Sequence, residues 1–337
     1  LRKINKMMKS KYKTFLVTGG AGLIGLEICK QLSDLGCKTH LFDLGEQIDR
    51  VKEFIPKDVK LFHGSIVDMS SLRSAMDGCD IVIHLGALLG VKRSEGDKLR
   101  CIEININGTN NVLDCAVQHR VKKVVFASSS EVYGEPQINP INEKTITQGK
   151  TVYAITKLAG EELCKAYNQR YAINYTILRY FNCYGPHQTA QFVISKFIKA
   201  VLGNKSPVIN GDGKQIRSYT YVTDTAKATI MAALNDDTNN HILNIGHGQS
   251  PISLTDLAEK IIELAGKKGK IKPIYAKNFQ KTDRLEEREI FERFCDSTKS
   301  KNLLNWSPTI SIDEGLKSVI KEGYIYDGWI NYEDDEM

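Results

Sequence analysis

Tyr153 and Lys157, four residues apart in YAITK, are a pair whose types and spacing could move a proton near neutrality. On a helix that spacing places both side chains on one face. A phenol titrates at about pH 10 and lysine stays cationic there, so a neighbouring ammonium stabilises the phenolate. The pattern is short, and a surface helix pair would look the same. Its surroundings distinguish it: an apolar strand ahead of it ends in Ala127-Ser128-Ser129-Ser130-Glu131-Val132-Tyr133-Gly134, a run of hydroxyls closed by one carboxylate.

A second chemistry-bearing segment lies near the start. Thr18-Gly19-Gly20-Ala21-Gly22-Leu23-Ile24-Gly25 contains both Gly20-x-Gly22-x-x-Gly25 and Gly19-x-x-Gly22-x-x-Gly25, between an apolar strand and a helical pattern. Glycines allow the tight turn and let backbone N–H groups approach a pyrophosphate at the helix N-terminus. Alone, the triplet also describes a turn with no ligand. Asp43, closing the second strand HLFD about 20 residues on, stands where a carboxylate accepts ribose hydroxyls and repels a 2′-phosphate. No arginine follows until Arg50, so NAD is expected rather than NADP. Asp68, in HGSIVD, has two open roles: a partner for the adenine amino group, or a helix N-cap for the residues after it.

The elements that must position these residues alternate. TFLVT, THLFD, VKLFHG, DIVIHLG and KKVVFASS are short apolar runs separated by helical patterns, which implies βαβ units and a parallel sheet covered on both faces. The expected fold class is α/β, a Rossmann-type doubly wound parallel sheet with a smaller C-terminal substrate-binding lobe. Residues 12–182 form the dinucleotide domain, joined by a late strand at about 241–246, and 183–330 are mainly the second lobe.

Taken together, TGGAGLIG, HLGALLGV, NINGTNNVL, SSSEVYG, YAITK, RYFNCYGP and GDGKQIRSYTYVTD resemble the NAD-dependent nucleotide-sugar epimerase/dehydratase family of extended short-chain dehydrogenases/reductases. The resemblance implies that Tyr153 exchanges the proton of a sugar C4 hydroxyl and that Ser129 hydrogen-bonds the same hydroxyl. Lys157 would also hold the nicotinamide ribose. Gly19, Gly22, Leu23, Ile24, Gly25, Asp43, Ile66, Asp68, Leu85, Gly86, Ala87 and Asn105 would form the cofactor site, with Asn105 a helical asparagine supporting it. Gly86 stands where such sequences usually carry alanine. The substrate, a nucleotide diphosphate sugar, would meet Asn182, Val193 and Arg217, with a late arginine on the second phosphate. Arg288 and Arg293 are both candidates, and Arg288 is preferred because Arg293 lies close to Asp296. Asp224 is expected to brace a helix.

Ser130 and Glu131 bear on the outcome. An epimerase needs neither, whereas related 4,6-dehydratases and uronate decarboxylases use an acid and a base there. A 4-epimerase working through a transient 4-keto sugar is the expectation, with dehydratase or UDP-glucuronate decarboxylase as alternatives and a non-catalytic NAD-binding regulator as a third. Gln191, Phe192, Val193, Val208 and Ile209 fall in the variable region that would read the base.

Composition removes other classes. The 46 basic and 40 acidic residues are interspersed, with no like-charged block or aromatic interleaving of a nucleic-acid arm. Eight cysteines are scattered without a C-x-x-C pair, so thiols in a reducing cytoplasm are expected and no metal site is. No apolar run reaches the roughly 18 residues that would cross a membrane. The resemblance implies a homodimer packed through the helix bearing Tyr153 and the helix from Asn105 to His119.

Overall fold

Strand β1 (Thr14–Thr18) is buried almost throughout, so it must be covered on both faces. The structure, a computed structural model, describes residues 12–276 and 290–323. Five further strands follow in the βα alternation: β2 (Lys38–Asp43), β3 (Lys60–His63), β4 (Ile81–His84), β5 (Lys123–Ser129) and β6 (Asn174–Tyr180). The strand His241–Ile245 pairs with β6 at one edge, and the order continues β5, β4, β1, β2, β3, every pair parallel. The order reverses between β1 and β4. Ligands of doubly wound sheets bind at such a point, beyond the C-terminal strand ends.

Two apolar layers cover the sheet. One includes Phe15, Val17, Leu26, Ile28 and the helix Val222–Leu234; the other includes Leu16, Phe42, Leu72, Val112, Phe126 and Cys164. The helix Val152–Tyr171 packs on the second layer. Thr151 starts it by accepting from Ala154 N at 3.1 Å, the usual N-cap arrangement. At Gly160 this helix comes so close to β5 that a Cβ would strike the Phe126 ring. Lys157 and Glu161, on either side of that approach, are therefore pressed into the end of β5.

The second lobe has its own core, built by Tyr184, Ile194, Phe197, Ile198, Leu257, Ile261, Leu316 and Val319. Its helices Val193–Leu202, Leu254–Leu264 and Ile312–Glu322 surround small two- and three-stranded sheets. Asp224 braces its join to the sheet, accepting from Thr309 N at 2.7 Å, Thr309 Oγ1 at 3.0 Å and Ile310 N at 2.9 Å. The helical brace expected of Asp224 is a loop anchor.

Candidate active site

Between the lobes runs a cleft of about 510 Å³ whose wall includes Gly19, Gly22, Asp43, Ser129, Glu131, Tyr153, Lys157, Asn182, Val193, Arg217 and Arg293. Its floor at one end is the glycine turn. Gly19 has φ +69°, and a Cβ there would lie 2.7 Å from Gly86 N; a Cβ on Gly25 would collide with the Gly19 carbonyl. Only bare backbone fits, and Gly22 caps the helix Leu23–Asp34 with the helix N-terminus facing the cleft. At Gly86 an alanine Cβ would stand 3.2 Å from Ile66, a tight but accommodable contact.

Asp43 sits at the end of β2, accepting from Ala21 N at 2.9 Å and Leu44 N at 2.8 Å. Burial raises its pKa to about 6, against the opposing pull of those N–H groups and of Arg50. A backbone cradle at a helix N-terminus with a carboxylate beside it fits a dinucleotide diphosphate and its adenosine ribose.

Beneath the cradle a buried polar chain fixes the loop at 85–88. Gly86 N donates to Thr18 Oγ1 at 3.3 Å, and Thr18 Oγ1 lies 2.7 Å from His84 Nδ1. His84 Nε2 lies 3.0 Å from Thr109 Oγ1, which donates to the Asn105 carbonyl at 2.6 Å. These partners assign the tautomer: Thr18 gives its proton to Nδ1, so His84 carries hydrogen on Nε2 and donates to Thr109. Burial, reinforced by Lys157, takes the His84 pKa down to about 3 and keeps it neutral. The Asn105 amide accepts from Leu88 N at 2.7 Å and donates to Leu88 O and Thr156 Oγ1, each at 3.0 Å. Asn105 was expected in the cofactor site; its amide instead ties that loop to the Tyr153 helix. Asp68 caps the helix Met69–Met76, accepting from Ser70 N at 2.9 Å, and stands outside the cleft wall.

At the other end of the cradle, Lys157 is 4% exposed and donates to Ala127 O at 2.7 Å. Its ammonium lies 5.0 Å from the Phe126 ring centre and 5.7 Å from that of Tyr153. Burial pulls its pKa down to about 8, with Cys101, Cys164 and Glu161 opposing. Ser129 closes β5 and accepts from Glu131 N at 3.2 Å, shaping the 3₁₀ turn Ser130–Tyr133. The Tyr153 phenol is raised above its ordinary value by burial and then by the Glu131 carboxylate, while a hydrogen bond with Ser129 opposes the rise. This corrects the sequence expectation of a phenol lowered by lysine. The Lys157 ammonium is turned onto the Ala127 carbonyl, and desolvation outweighs it.

Glu131 has a partner that spacing does not reveal. Arg293 Nη2 lies 2.7 Å from Glu131 Oε1, with the arginine side chain 3% exposed and the glutamate 23%. Among the described residues Arg293 Nε and Nη1 have no hydrogen-bond partner. The short strand Glu292–Arg293 runs parallel to Ile216–Arg217 and sets Arg293 opposite Arg217. Arg217 donates from Nη1 to Ile216 O at 2.8 Å and Phe291 O at 3.0 Å, and from Nη2 to Ile290 O. Arg217 thus fastens the segment that delivers Arg293. Arg288 lies outside the described residues. Asn182 donates to Ser218 O at 3.3 Å.

A profile described as the NAD-dependent epimerase/dehydratase family matches residues 15–246. The chain belongs to this family. Its cofactor is NAD. The chain is 35% identical to a UDP-N-acetyl-α-D-glucosaminuronate decarboxylase of Bacillus cytotoxicus, over 92% of this chain and 97% of the relative. It is 34% identical to a UDP-glucuronate 4-epimerase of Thermodesulfobacterium geofontis, over 91% and 94%. Among solved structures it is similar to the UDP-glucose 4-epimerase of Thermus thermophilus in complex with NAD, with a TM-score of 0.80, 27% identity and coverage of 91% and 98%. Among the described residues no helix is long and apolar enough to cross a membrane.

Proposed function

We propose that this enzyme oxidises the C4 hydroxyl of a nucleotide diphosphate sugar and returns hydride to the opposite face, acting as a 4-epimerase. The observation that carries the reading is the placement of Tyr153 beside Ser129 in one cleft, with the Lys157 ammonium 5.7 Å from its ring centre, where the glycine cradle opens into the substrate half. NAD, when bound, supplies the hydride acceptor and donor. In its phenolate form Tyr153 Oη would take the C4 hydroxyl proton and give it back after the 4-keto sugar has turned over, while Ser129 Oγ orients that hydroxyl. Lys157 supplies the positive charge the phenolate needs, and Asn182 and Val193 line the side where the nucleotide would lie. Related epimerases and decarboxylases share this first oxidation step under the proposal.

A second reading rests on Glu131 and Arg293. Glu131 is near enough to Tyr153 to raise its phenol, and Arg293 brings to the same wall two nitrogens without a partner among the described residues. That pair would suit a nucleotide-linked uronic acid. The guanidinium would receive the carboxylate, carbon dioxide would leave from the 4-keto acid, and Glu131 would carry the proton to C5. The 35% identical decarboxylase supports this arm.

Purified enzyme incubated with UDP-glucose, UDP-N-acetylglucosamine and UDP-glucuronate, its products read by mass and by proton NMR at C4, separates the two. Unchanged mass with inverted C4 supports epimerisation, and loss of carbon dioxide the second reading. No change in any sugar, with dTDP-, GDP- and CDP-sugars added, would overturn both.

A further inference from the structure

Behind the catalytic serines lies a buried charged cluster that the reaction itself does not use. Glu161 follows Lys157 by one helical turn and is 1% exposed. Its Oε1 accepts from Ser128 Oγ at 2.5 Å and Arg179 Nε at 2.9 Å, and its Oε2 from Arg179 Nη2 at 2.6 Å. Ser128 and Arg179 are register partners on β5 and β6, so one carboxylate on the helix grips two adjacent strands. The Arg179 guanidinium in turn covers the Tyr133 ring at 4.8 Å, and Tyr133 donates to Asn244 Oδ1 at 2.7 Å. The cluster therefore touches the helix of Tyr153 and Lys157, the strand of Ser129 and the turn that carries Glu131.

We propose that Glu161 is a positioning residue, fixing the register of Tyr153 and Lys157 on their helix against Ser129 at the end of β5. The geometry is bidentate and dry, the arrangement in which a carboxylate–guanidinium pair is most directional. Two consecutive strand residues grip two positions of one helical face, with Ala127 bonding Lys157 and Ser128 bonding Glu161, and the next strand residue, Ser129, lines the same cleft as Tyr153. A shift of that helix by a fraction of a turn would break both bonds together and move Tyr153 away from Ser129.

Charge adds to register. Lys157 is faced by Tyr153, Glu161 and Cys164 on its own helix, by Cys101 on Lys98–Ile102 and by His84 on β4. Of the groups that oppose the fall in the Lys157 pKa, Cys101 and Cys164 are thiols pushed up by burial, and Glu161 is the one carboxylate.

This inference rests on Tyr153 and Lys157 being the catalytic pair. Its test is Glu161→Gln in the full chain, with turnover and NAD affinity followed across pH. The expected result is a kcat lowered at least tenfold with KM changed less than threefold. An alkaline limb of kcat is expected in the native chain from Lys157, whose pKa burial lowers to about 8, and it should move to lower pH in the variant. NAD affinity, weakened several-fold at neutral pH, converges with the native value well above pH 8. Native kcat and an unmoved limb would overturn the proposal, and so would lost kcat with an unmoved limb and unmoved NAD affinity. Should Glu161→Gln fail to fold, Ser128→Ala keeps the ion pair and removes one grip: kcat must fall with KM held, and native kcat would overturn the proposal. A native chain that turns over no sugar defeats the functional reading instead, and the NAD titration still reads this one.

Discussion

Arg293 reaches Glu131 at 2.7 Å from the far end of the chain, and it does so from a strand that Arg217 holds in place. Removing one partner of so enclosed a pair leaves the other charge poorly solvated, at a cost of about 1–3 kcal/mol. Arg293→Met is expected to lower the melting temperature. Glu131→Gln keeps shape and a hydrogen bond, so a 4-epimerase retains turnover within about threefold, whereas the uronate arm loses about 10²-fold or more as its proton carrier goes. Turnover of both variants on UDP-glucose and UDP-glucuronate is the measurement; an equal collapse on both sugars would contradict either assignment of Glu131.

Tyr153→Phe removes the proton and nothing of the ring. Turnover should fall about 10²–10⁴-fold while NAD still co-purifies, because the cradle and Asp43 are untouched. Cofactor released on denaturation, quantified against protein, checks the second half; activity above a tenth of native would remove Tyr153 from the acid/base role.

Asp43 gives a pH dependence with a definite sign. Its folded pKa is raised from 3.8 to about 6, so between those values the folded chain keeps a proton the unfolded chain has released. The resulting stabilisation is present below pH 3.8 and is lost as pH rises through about 6. NAD needs the carboxylate, so affinity runs the opposite way and should weaken as pH falls below about 6. Calorimetric titration of NAD across that window is expected to show the dependence, and Asp43→Asn to bind weakly with a flat profile. A flat profile in the native chain would show that Asp43 does not accept from the ribose.

Gly160→Ala places a methyl against Phe126 where the Tyr153 helix meets β5. Overpacking of this kind costs about 1–3 kcal/mol. Because Lys157 and Glu161 flank the contact, kcat should fall along with the melting temperature. Gly96→Ala, whose Cβ would meet nothing within 4 Å, is the control expected to change neither. Native turnover in Gly160→Ala would mean that the helix can shift without disturbing the pair.

The fold was legible because its signals are local: apolar runs, glycines and a carboxylate at the end of β2 are each read from a few neighbouring residues. The spacing of Tyr153 and Lys157 likewise shows a shared helical face. What spacing cannot carry is the environment that sets proton affinity, so lysine was expected to lower a phenol that burial and Glu131 raise. The Glu131–Arg293 pair and the Glu161 cluster are joined only through strand pairing, between elements far apart in sequence. Preference for Arg288 rests on spacing alone and falls on a residue outside the described ones, while the strand beside Arg217 brings Arg293 to the cleft. Glu161 carries no motif signal beyond lying one turn after Lys157.

Asn105 shows how a residue that need not touch a ligand can still govern one. Its amide satisfies both backbone groups of Leu88 and the Thr156 hydroxyl, and its own carbonyl ends the chain that starts at Gly86. Asn105→Leu fills the same space and takes away the partners of Leu88 N and O, while Thr156 Oγ1 keeps its bond to Tyr153 O, a loss of about 1–3 kcal/mol for each group left unsatisfied. The loop lining the cofactor cleft should loosen, so NAD affinity falls about tenfold or more while the overall fold survives by circular dichroism. Asn105→Asp tests the direction of the bonds: its carboxylate can still accept from Leu88 N but cannot donate to Leu88 O. It should recover only part of the affinity, and full recovery would show that the accepted bond alone holds the loop.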